Sequence, residues 1–203
     1  MSRYLGSINR KSRRLGFSLL ENNKEFIKGK KRNYAPGQQG QNKRKLSGYG
    51  EQLQEKQKLQ FMYGMNDRQF RRLFKIAKGM KGSNTLNLLI VLESRLDNLV
   101  YRMGFAPTRR AARQLVNHGH VLLNSKKCTI PSTIAKVGSL ISIKEKSLNL
   151  PIVKNNEMVK PLDFVKVDNI KKIGEYVRFP KREELNQDIK ETYVVEWYNR
   201  LVK

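Results

Sequence analysis

Leu89-Ile-Val-Leu-Glu-Ser-Arg-Leu-Asp-Asn-Leu-Val-Tyr-Arg-Met-Gly-Phe105, continued by Ala106-Pro-Thr-Arg-Arg-Ala-Ala-Arg-Gln-Leu-Val116, carries the pattern that decides the fold. In its first half Leu89, Leu92, Leu96, Leu99, Val100 and Met103 recur at i, i+3, i+7, i+10, i+11 and i+14, one apolar stripe at the helical period. The spacing predicts a single helix that stops near Met103, with Gly104 as left-handed terminator and Phe105 as the apolar contact behind it. Arg95, Asn98 and Arg102 share another face of that helix. Thr108 predicts the N-cap of a second helix closed by Gly119. There Ala111, Ala112, Leu115 and Val116 turn inward while Arg109, Arg113 and Asn117 align at i, i+4 and i+8.

Arg109, Arg110 and Arg113 open the second helix where its dipole is positive, a placement that costs roughly 0.3–1 kcal/mol per charge. A chain built only to fold favours Asp or Glu there. The placement becomes favourable when an external anion sits at the helix N-terminus, because backbone N–H groups and guanidinium forks then converge on the same phosphate oxygens. With no acidic residue answering most of these arginines, the two helices are expected to present a surface that holds phosphate. Any one arginine is better explained as part of a solvated basic face; five on consecutive helices are not.

Composition points the same way. Forty-two Lys and Arg against 17 Asp and Glu give a net charge of +25, which calls for a polyanion. Residues 1–50 carry 13 basic and 2 acidic side chains, residues 51–150 carry 18 and 6, and residues 151–203 carry 11 and 9, so the binding surface is expected upstream of the last quarter. A membrane is the rival polyanion. No run approaches the roughly 20 apolar residues of a spanning helix, and residues 1–20 lack a continuous apolar core. The single cysteine, Cys128, allows no internal disulfide and no cysteine-based zinc cluster, and the chain reads as cytosolic.

The pattern predicts an α+β protein. Residues 1–45 have no sustained period and read as a basic N-terminal arm, ordered mainly by its partner although Tyr4, Leu5, Leu15, Phe17, Leu19, Leu20, Phe26 and Ile27 are scattered through it. Pro36-Gly37 marks a turn of the second type. Residues 46–91 form a mainly helical domain: Glu51 to Tyr63 is one helix, ended by Gly64. Asn66 with Gln69 caps another, whose Phe70, Leu73, Phe74 and Ala77 face inward and Arg68, Arg71, Arg72, Lys75 and Lys78 outward. Residues 92–155 form an inserted module of the two helices above plus a short antiparallel sheet: Val121–Leu123, a turn over Asn124 to Lys127, Cys128–Ile130, and Leu140–Ile143 entered through Gly138. Asn156 to Pro161 is linker-like. Residues 156–203 hold short strands at Phe164–Val167 and Tyr176–Phe179 and a helix over Ile189–Val202 with Tyr193, Trp197 and Leu201 on its apolar face; residues 160–203 are expected to pack back and complete the helical domain.

With these segments in view the chain resembles the bacterial small-subunit ribosomal protein S-four family over almost its whole length. Arg3-Tyr-Leu-Gly6 with Ser12-Arg-Arg-Leu-Gly16 is similar to the family's arm, and Ala35-Pro-Gly-Gln-Gln-Gly40 with Leu46-Ser-Gly-Tyr-Gly-Glu-Gln-Leu-Gln-Glu-Lys-Gln-Lys58 to its most recognisable block. Leu92 to Phe105, Thr108-Arg-Arg110 and Ala112-Arg-Gln-Leu-Val116 resemble an RNA-binding module shared with a wider superfamily. The resemblance implies a protein that binds the 5′ domain of small-subunit rRNA early, nucleates assembly of the subunit body and lines the channel by which mRNA enters, with Lys43, Arg44 and Lys45 facing the message. It also implies contact with the fifth small-subunit protein, linked to decoding accuracy, and in some relatives repression of the operon through its own mRNA. Relatives often carry a zinc-binding cysteine cluster in the arm; this arm has no cysteine, and no metal or cofactor is assigned. The usual Asn-Gly of the hairpin turn is Asn124-Ser125, and the usual Gly-Asp before the module's last strand is Gly138-Ser139.

Pattern and resemblance together nominate Arg3, Arg10, Arg13, Arg14, Tyr49, Lys56, Lys58, Arg68, Arg71, Arg72, Arg95, Asn98, Arg102, Arg109, Arg110, Arg113, Gln114, His118, His120 and Lys126 for rRNA. Two rivals are weaker. Arg95-Leu-Asp97 mimics the catalytic motif of pseudouridine synthases, but Leu96 belongs to the core stripe, Asp97 reads as a helix-surface residue pairing near Arg95 or Tyr101, and about 60 residues after Ile143 are too few for a catalytic domain. A DNA-binding helix-turn-helix protein concentrates its charge on one helix of a dimer, whereas this charge spreads along the chain. His118 and His120 have no carboxylate or cysteine nearby in sequence to complete a metal site, and no nucleophile triad or P-loop is present, so neither an enzyme nor a small-molecule binder is expected.

Overall fold

The computed structural model describes residues 4–23, 26, 33–42, 45–154 and 161–201; Arg3, Lys43, Arg44, most of the linker-like stretch and Val202 lie outside the described residues. In chain order the elements are α1 (Ile8–Leu15), α2 (Gly48–Met62), α3 (Asp67–Lys78), α4 (Asn84–Glu93), α5 (Leu96–Arg102), α6 (Arg109–Asn117), β1 (Val121–Leu123), β2 (Lys126–Lys127), β3 (Leu140–Ile143), α7 (Pro151–Lys154), β4 (Val165–Asp168), β5 (Ile173–Tyr176) and α8 (Glu191–Leu201). The protein is α+β, as its pattern predicts. It divides into two compact units, residues 1–85 with 187–203, and residues 86–186.

In the first unit the arm contains a helix that periodicity did not reveal. The Ser7 hydroxyl accepts from the Arg10 N–H, Gly16 ends α1 at φ +61°, and Ile8, Leu15, Phe17 and Leu19 are buried. Eight residues with mostly polar side chains give too short a stripe to stand out. The ring of Tyr4 lies 4.9 Å from that of Phe61 on α2, and the Lys11 ammonium sits over the same Phe61 ring. Gly37 adopts φ +112°, the conformation for which the expected turn needs a glycine.

Ser47 caps α2, Gln69 accepts from the Asn66 N–H at the start of α3, and Phe70, Leu73, Phe74 and Ala77 are all buried. The last helix packs on α2, with Tyr198 stacked on Phe70 and Phe74. Its inward stripe is Val194, Trp197 and Tyr198, not Tyr193, Trp197 and Leu201; Leu201 is exposed. The i, i+4, i+8 count followed the large apolar side chains, but a one-residue rotation places the smaller Val194 and the amphipathic Tyr198 inside instead.

Asp67 joins the two long helices of this unit. Lys56 donates to it at 2.6 Å, the Tyr198 hydroxyl donates at 3.3 Å, and Arg71 stands 3.7 Å away. Burial pulls the Asp67 carboxyl upward, but the Lys56 hydrogen bond and charge, with Tyr198 and Arg71, outweigh it and hold the group below the usual carboxylate range. Burial and the Asp67 charge raise Tyr198. A carboxylate with a folded pKa below its unfolded one adds stability at neutral pH that is lost as pH falls below about 4. Asp67→Asn is therefore expected to lower the melting temperature at pH 7 and to flatten its decline between pH 5 and 3, as read by thermal melts of both proteins across that range.

In the second unit five antiparallel strands run in the order β2-β1-β3-β5-β4. Val121, Ile141, Ile143, Val165 and Tyr176 line one sheet face and share a core with Leu96, Leu99, Val100, Met103, Phe105, Leu115 and Val116. Three expectations change. The long helix over Leu89–Met103 is broken: Arg95 is extended at φ −69°, ψ 139° and bridges to Ile134, while Leu96 and Asp97 donate backbone hydrogen bonds to Thr133 and Pro131. A neighbouring segment thus supplies acceptors in place of the Leu92 and Glu93 carbonyls that a continuing helix would have used. The Ser94 hydroxyl donates to Ile90 O and bonds Tyr176 at 2.9 Å.

The hairpin partner is Lys126–Lys127, not Cys128–Ile130. Asn124 (φ +49°) and Ser125 (φ +63°) make a two-residue turn with both centres left-handed, so Leu123 pairs directly with Lys126. The Asn124 carboxamide accepts from the Leu140 N–H at 2.9 Å. Ser125→Gly removes the Cβ penalty of the left-handed region at some cost in unfolded-chain entropy, and a gain of about 0.5–1 kcal/mol is expected in denaturant unfolding.

The strands expected at Phe164–Val167 and Tyr176–Phe179 are β4 and β5, the latter three residues earlier because the Asp168 carboxylate closes a short turn by accepting from Ile170 and Lys171 and Lys172 turns left-handed at φ +50°. They extend the module's own sheet and do not join the helical domain; of the C-terminal segment, only residues from 187 onward belong to the first unit.

Candidate nucleic-acid interface

Thr108 caps α6 by accepting from Ala111 at 3.2 Å, and Gly104 and Gly119, both at φ +74°, end the two helices of the module. The turn between them brings the arginines together. They are not, however, an open basic face.

Arg95, Asn98, Arg102 and Arg113 are buried, at 3%, 1%, 8% and 5% exposure, and the acids that answer them are Glu93 and Asp97. Arg102 forks onto Glu93 through Nε at 3.0 Å and Nη2 at 2.8 Å, and Asn98 donates to the same carboxylate at 2.6 Å and to the Glu93 carbonyl at 3.1 Å. Arg95 forks onto Asp97 at 3.0 and 2.6 Å, with Arg113 Nη1 3.6 Å from that carboxylate. Asp97 thus pairs with Arg95 as expected but is buried, not on the surface. The Asn98 carbonyl in turn accepts from Arg109 Nε at 2.8 Å, and the Arg109 guanidinium lies over the Tyr101 ring at 4.6 Å.

The cluster sets four guanidiniums against two carboxylates. Its positive excess is held by fixed forks in a buried setting, where a charge loses its attraction to water but keeps its field. The expectation of unanswered arginines is corrected. Glu93 and Asp97 are the only acids between Asp67 and Glu145, and their isolation in so basic a stretch was the signal that each serves several partners.

Two other nominated residues turn inward in the first unit. Lys56 is buried, bonds Asp67 and sits over the Trp197 ring; Lys58 bonds Glu55 at 2.6 Å over the Phe17 ring. Long lysine stems cover apolar surface well, so each can lie against an aromatic ring while its ammonium reaches a carboxylate.

What stays exposed falls into separate faces. On α3, Arg68, Arg71, Arg72, Lys75 and Lys78 all face solvent along one side, with Asp67 as the sole acid of the helix. On α1, Arg10 and Arg14 are exposed and Arg13 half-buried, and a cleft of about 380 Å³ is lined by Arg10, Arg13, Tyr34 and the chain through Gly37. Tyr49 is exposed against Trp197 at 4.6 Å between ring centres, and Lys45 is exposed just before α2. On the module Arg110, Gln114, His118 and Lys126 are exposed and Arg109 half-buried. Half-buried His120 shares a hydrogen bond with Ser147 at 2.8 Å, its ring 6.0 Å from that of His118. Lys127, which the sequence did not single out, runs its stem against Gly119, where a Cβ would collide with its Cε. No group of three or more metal-ligating side chains is found among the described residues, and no helix of the described chain is long and apolar enough to cross a membrane.

Comparison with known proteins agrees with this layout. Residues 3–93 match the family described as ribosomal protein S4/S9 N-terminal domain, and residues 94–141 match the S4 domain. The small ribosomal subunit protein uS4 of Malacoplasma penetrans is 67% identical over 202 residues, and that of Ureaplasma urealyticum serovar 10 is 66% identical over 203, each covering 100% of both chains. The protein of the same name from Mycoplasma pneumoniae is 58% identical across 99% of this chain and 100% of its own length. The boundary between the two family matches falls at Glu93–Ser94, where α4 gives way to the Arg95 break, and with residues 3–141 matched by the two families and the full length by these relatives, this chain belongs to the ribosomal protein S4 family.

Proposed function

We propose that the protein is a structural constituent of the small ribosomal subunit in the cytoplasm, with no enzymatic role, that binds the 5′ domain of the subunit rRNA and nucleates assembly of the subunit body. The observation that carries this reading is the α3 face: five exposed basic side chains on a helix whose single acid, Asp67 at its first residue, stands 3.7 Å from Arg71, so one i, i+4 pair cannot account for the charge of the face. Arg10 and Arg14 on α1 and Arg110, Gln114, His118 and Lys126 on the module supply further cationic and polar contacts, while Arg95, Asn98, Arg102 and Arg113 hold the module's helices in register beneath them.

The finer part of the proposal follows from the family resemblance. Lys45, with Lys43 and Arg44 before it, faces mRNA at the channel where it enters, the protein contributes to translational accuracy through the fifth small-subunit protein, and its own mRNA is a second RNA target. Irregular phosphate geometry of folded RNA suits several separate basic faces better than a DNA groove does.

Filter binding of the full chain to a 5′-domain rRNA transcript, with duplex DNA as competitor, tests the reading. With on the order of 8–12 phosphates engaged, log K is expected to fall against log salt with a slope of about −6 to −10. Equal affinity for both nucleic acids, or a slope shallower than about −3, overturns it.

A further inference from the structure

The sheet of the second unit has an outer face that its helices do not cover. Strand pairing places Lys127, Leu122, Ser142, Ile173 and Asp168 in one cross-strand row on that face, because paired residues point the same way while Val121, Ile141 and Ile143 take the opposite side. Leu122 and Leu148 are half-buried and Ile173 is exposed, and together they floor an open cavity of about 820 Å³. Its rim carries Lys144, Lys146 and Lys171 against a single carboxylate, Glu145. Next to Lys171, at the tip of the β4–β5 hairpin, Ile170 is 92% exposed, held out by a turn in which the Asp168 carboxylate occupies the backbone N–H groups of Ile170 and Lys171.

We infer that this outer sheet face docks an acidic amphipathic segment of another protein, with aliphatic side chains on the Leu122–Leu148–Ile173 floor and carboxylates against the Lys144, Lys146 and Lys171 rim. The cavity is open along the sheet and has room for more than one side chain. Charge decides the partner's sign: the cavity lining sets three ammonium groups against Glu145, and Asp168 at the end of the row is engaged by the backbone N–H groups of its own turn. Chemistry decides its class. Single-stranded RNA is gripped by aromatic platforms and guanidinium forks, and the cavity lining offers neither an aromatic ring nor an arginine. Aliphatic floor with a charged rim is the anatomy of a protein interface. The cavity lining includes none of the exposed residues of α6, so the inference extends the RNA-binding reading without depending on it.

The test uses the full chain and a fluorescein-labelled helical peptide with leucines at i, i+3 and i+7 and glutamates between them, followed by fluorescence anisotropy. A second peptide of equal charge, with serine at each leucine, measures plain attraction to a basic protein. The leucine peptide is expected to bind one to one and at least about tenfold tighter than the serine peptide. An Ile170→Ser, Ile173→Thr variant is expected to lose that margin, and a Lys144→Glu, Lys146→Glu, Lys171→Glu variant to lose binding of both peptides to this face, each with an unchanged thermal transition. Equal affinity for the two peptides, or leucine-peptide binding that neither variant weakens, overturns the inference. So does a matching loss of 5′-domain transcript binding in the isoleucine variant, which gives the face to RNA.

Discussion

Glu93→Ala is expected to cost about 3–5 kcal/mol of unfolding free energy, the range for removing one partner of a buried ion pair. Glu93 is fully buried, and its carboxylate takes both arms of the Arg102 fork and the Asn98 carboxamide. Removing it leaves a guanidinium nine-tenths buried without the carboxylate it forks onto, and takes from Asn98, which positions Arg109, its 2.6 Å bond to that carboxylate. The penalty is of desolvation and cannot be relieved by a side-chain rotation into water without unpacking α5. Urea unfolding checks it, with the midpoint displaced and the slope unchanged. Adding Arg102→Met to Glu93→Ala is expected to restore part of the loss, since the double variant no longer buries a lone charge. If Glu93→Ala unfolds within about 1 kcal/mol of the parent, the cluster is not the keystone of the module.

The second large effect is on binding. Replacing Arg68, Arg72 and Lys75 by Ala removes three exposed charges from α3 and leaves Arg71, which pairs with Asp67, in place. Each phosphate contact contributes about 0.7–0.9 to the salt slope, so the slope is expected to become shallower by about 2–3 and the affinity near 0.1 M salt to fall on the order of a hundred- to a thousandfold. Exposed substitutions of this kind shift stability by no more than about 0.5 kcal/mol each, so the melting curve serves as the control. An unchanged slope places the RNA elsewhere. Arg110→Ala is a milder variant of the same kind, whereas Arg113→Ala acts on the buried Asp97 pair and is expected to lower stability instead.

The apolar half of the fold was legible because burial imposes a period. Every residue of the Leu89–Met103 stripe is inside, although the helix that the stripe predicts is two helices, since hydrophobic spacing records which way side chains face and not whether the backbone between them stays bonded to itself. The break at Arg95 depends on carbonyl groups from residues 131 and 133, about 35 positions away, which no local window contains. The polar half was harder to read. An arginine on a helix face has the same letter whether it meets water or a buried carboxylate, and Arg95, Arg102 and Arg113 differ from Arg110 only through where Glu93 and Asp97 fold. The hairpin at Asn124-Ser125 and the strand at Ile173–Tyr176 moved for a shared reason: both turns are closed by left-handed non-glycine residues, which composition does not mark.

The first unit is built from the two ends of the chain, and the second is contained between them. During synthesis the start of the protein emerges with its closing helix still unmade, so Phe70 and Phe74 wait for Tyr198 while the intervening unit can complete itself on residues 86–186 alone. Premature termination shortly before α8 would therefore spare the later-made inner body and cripple the portion translated first.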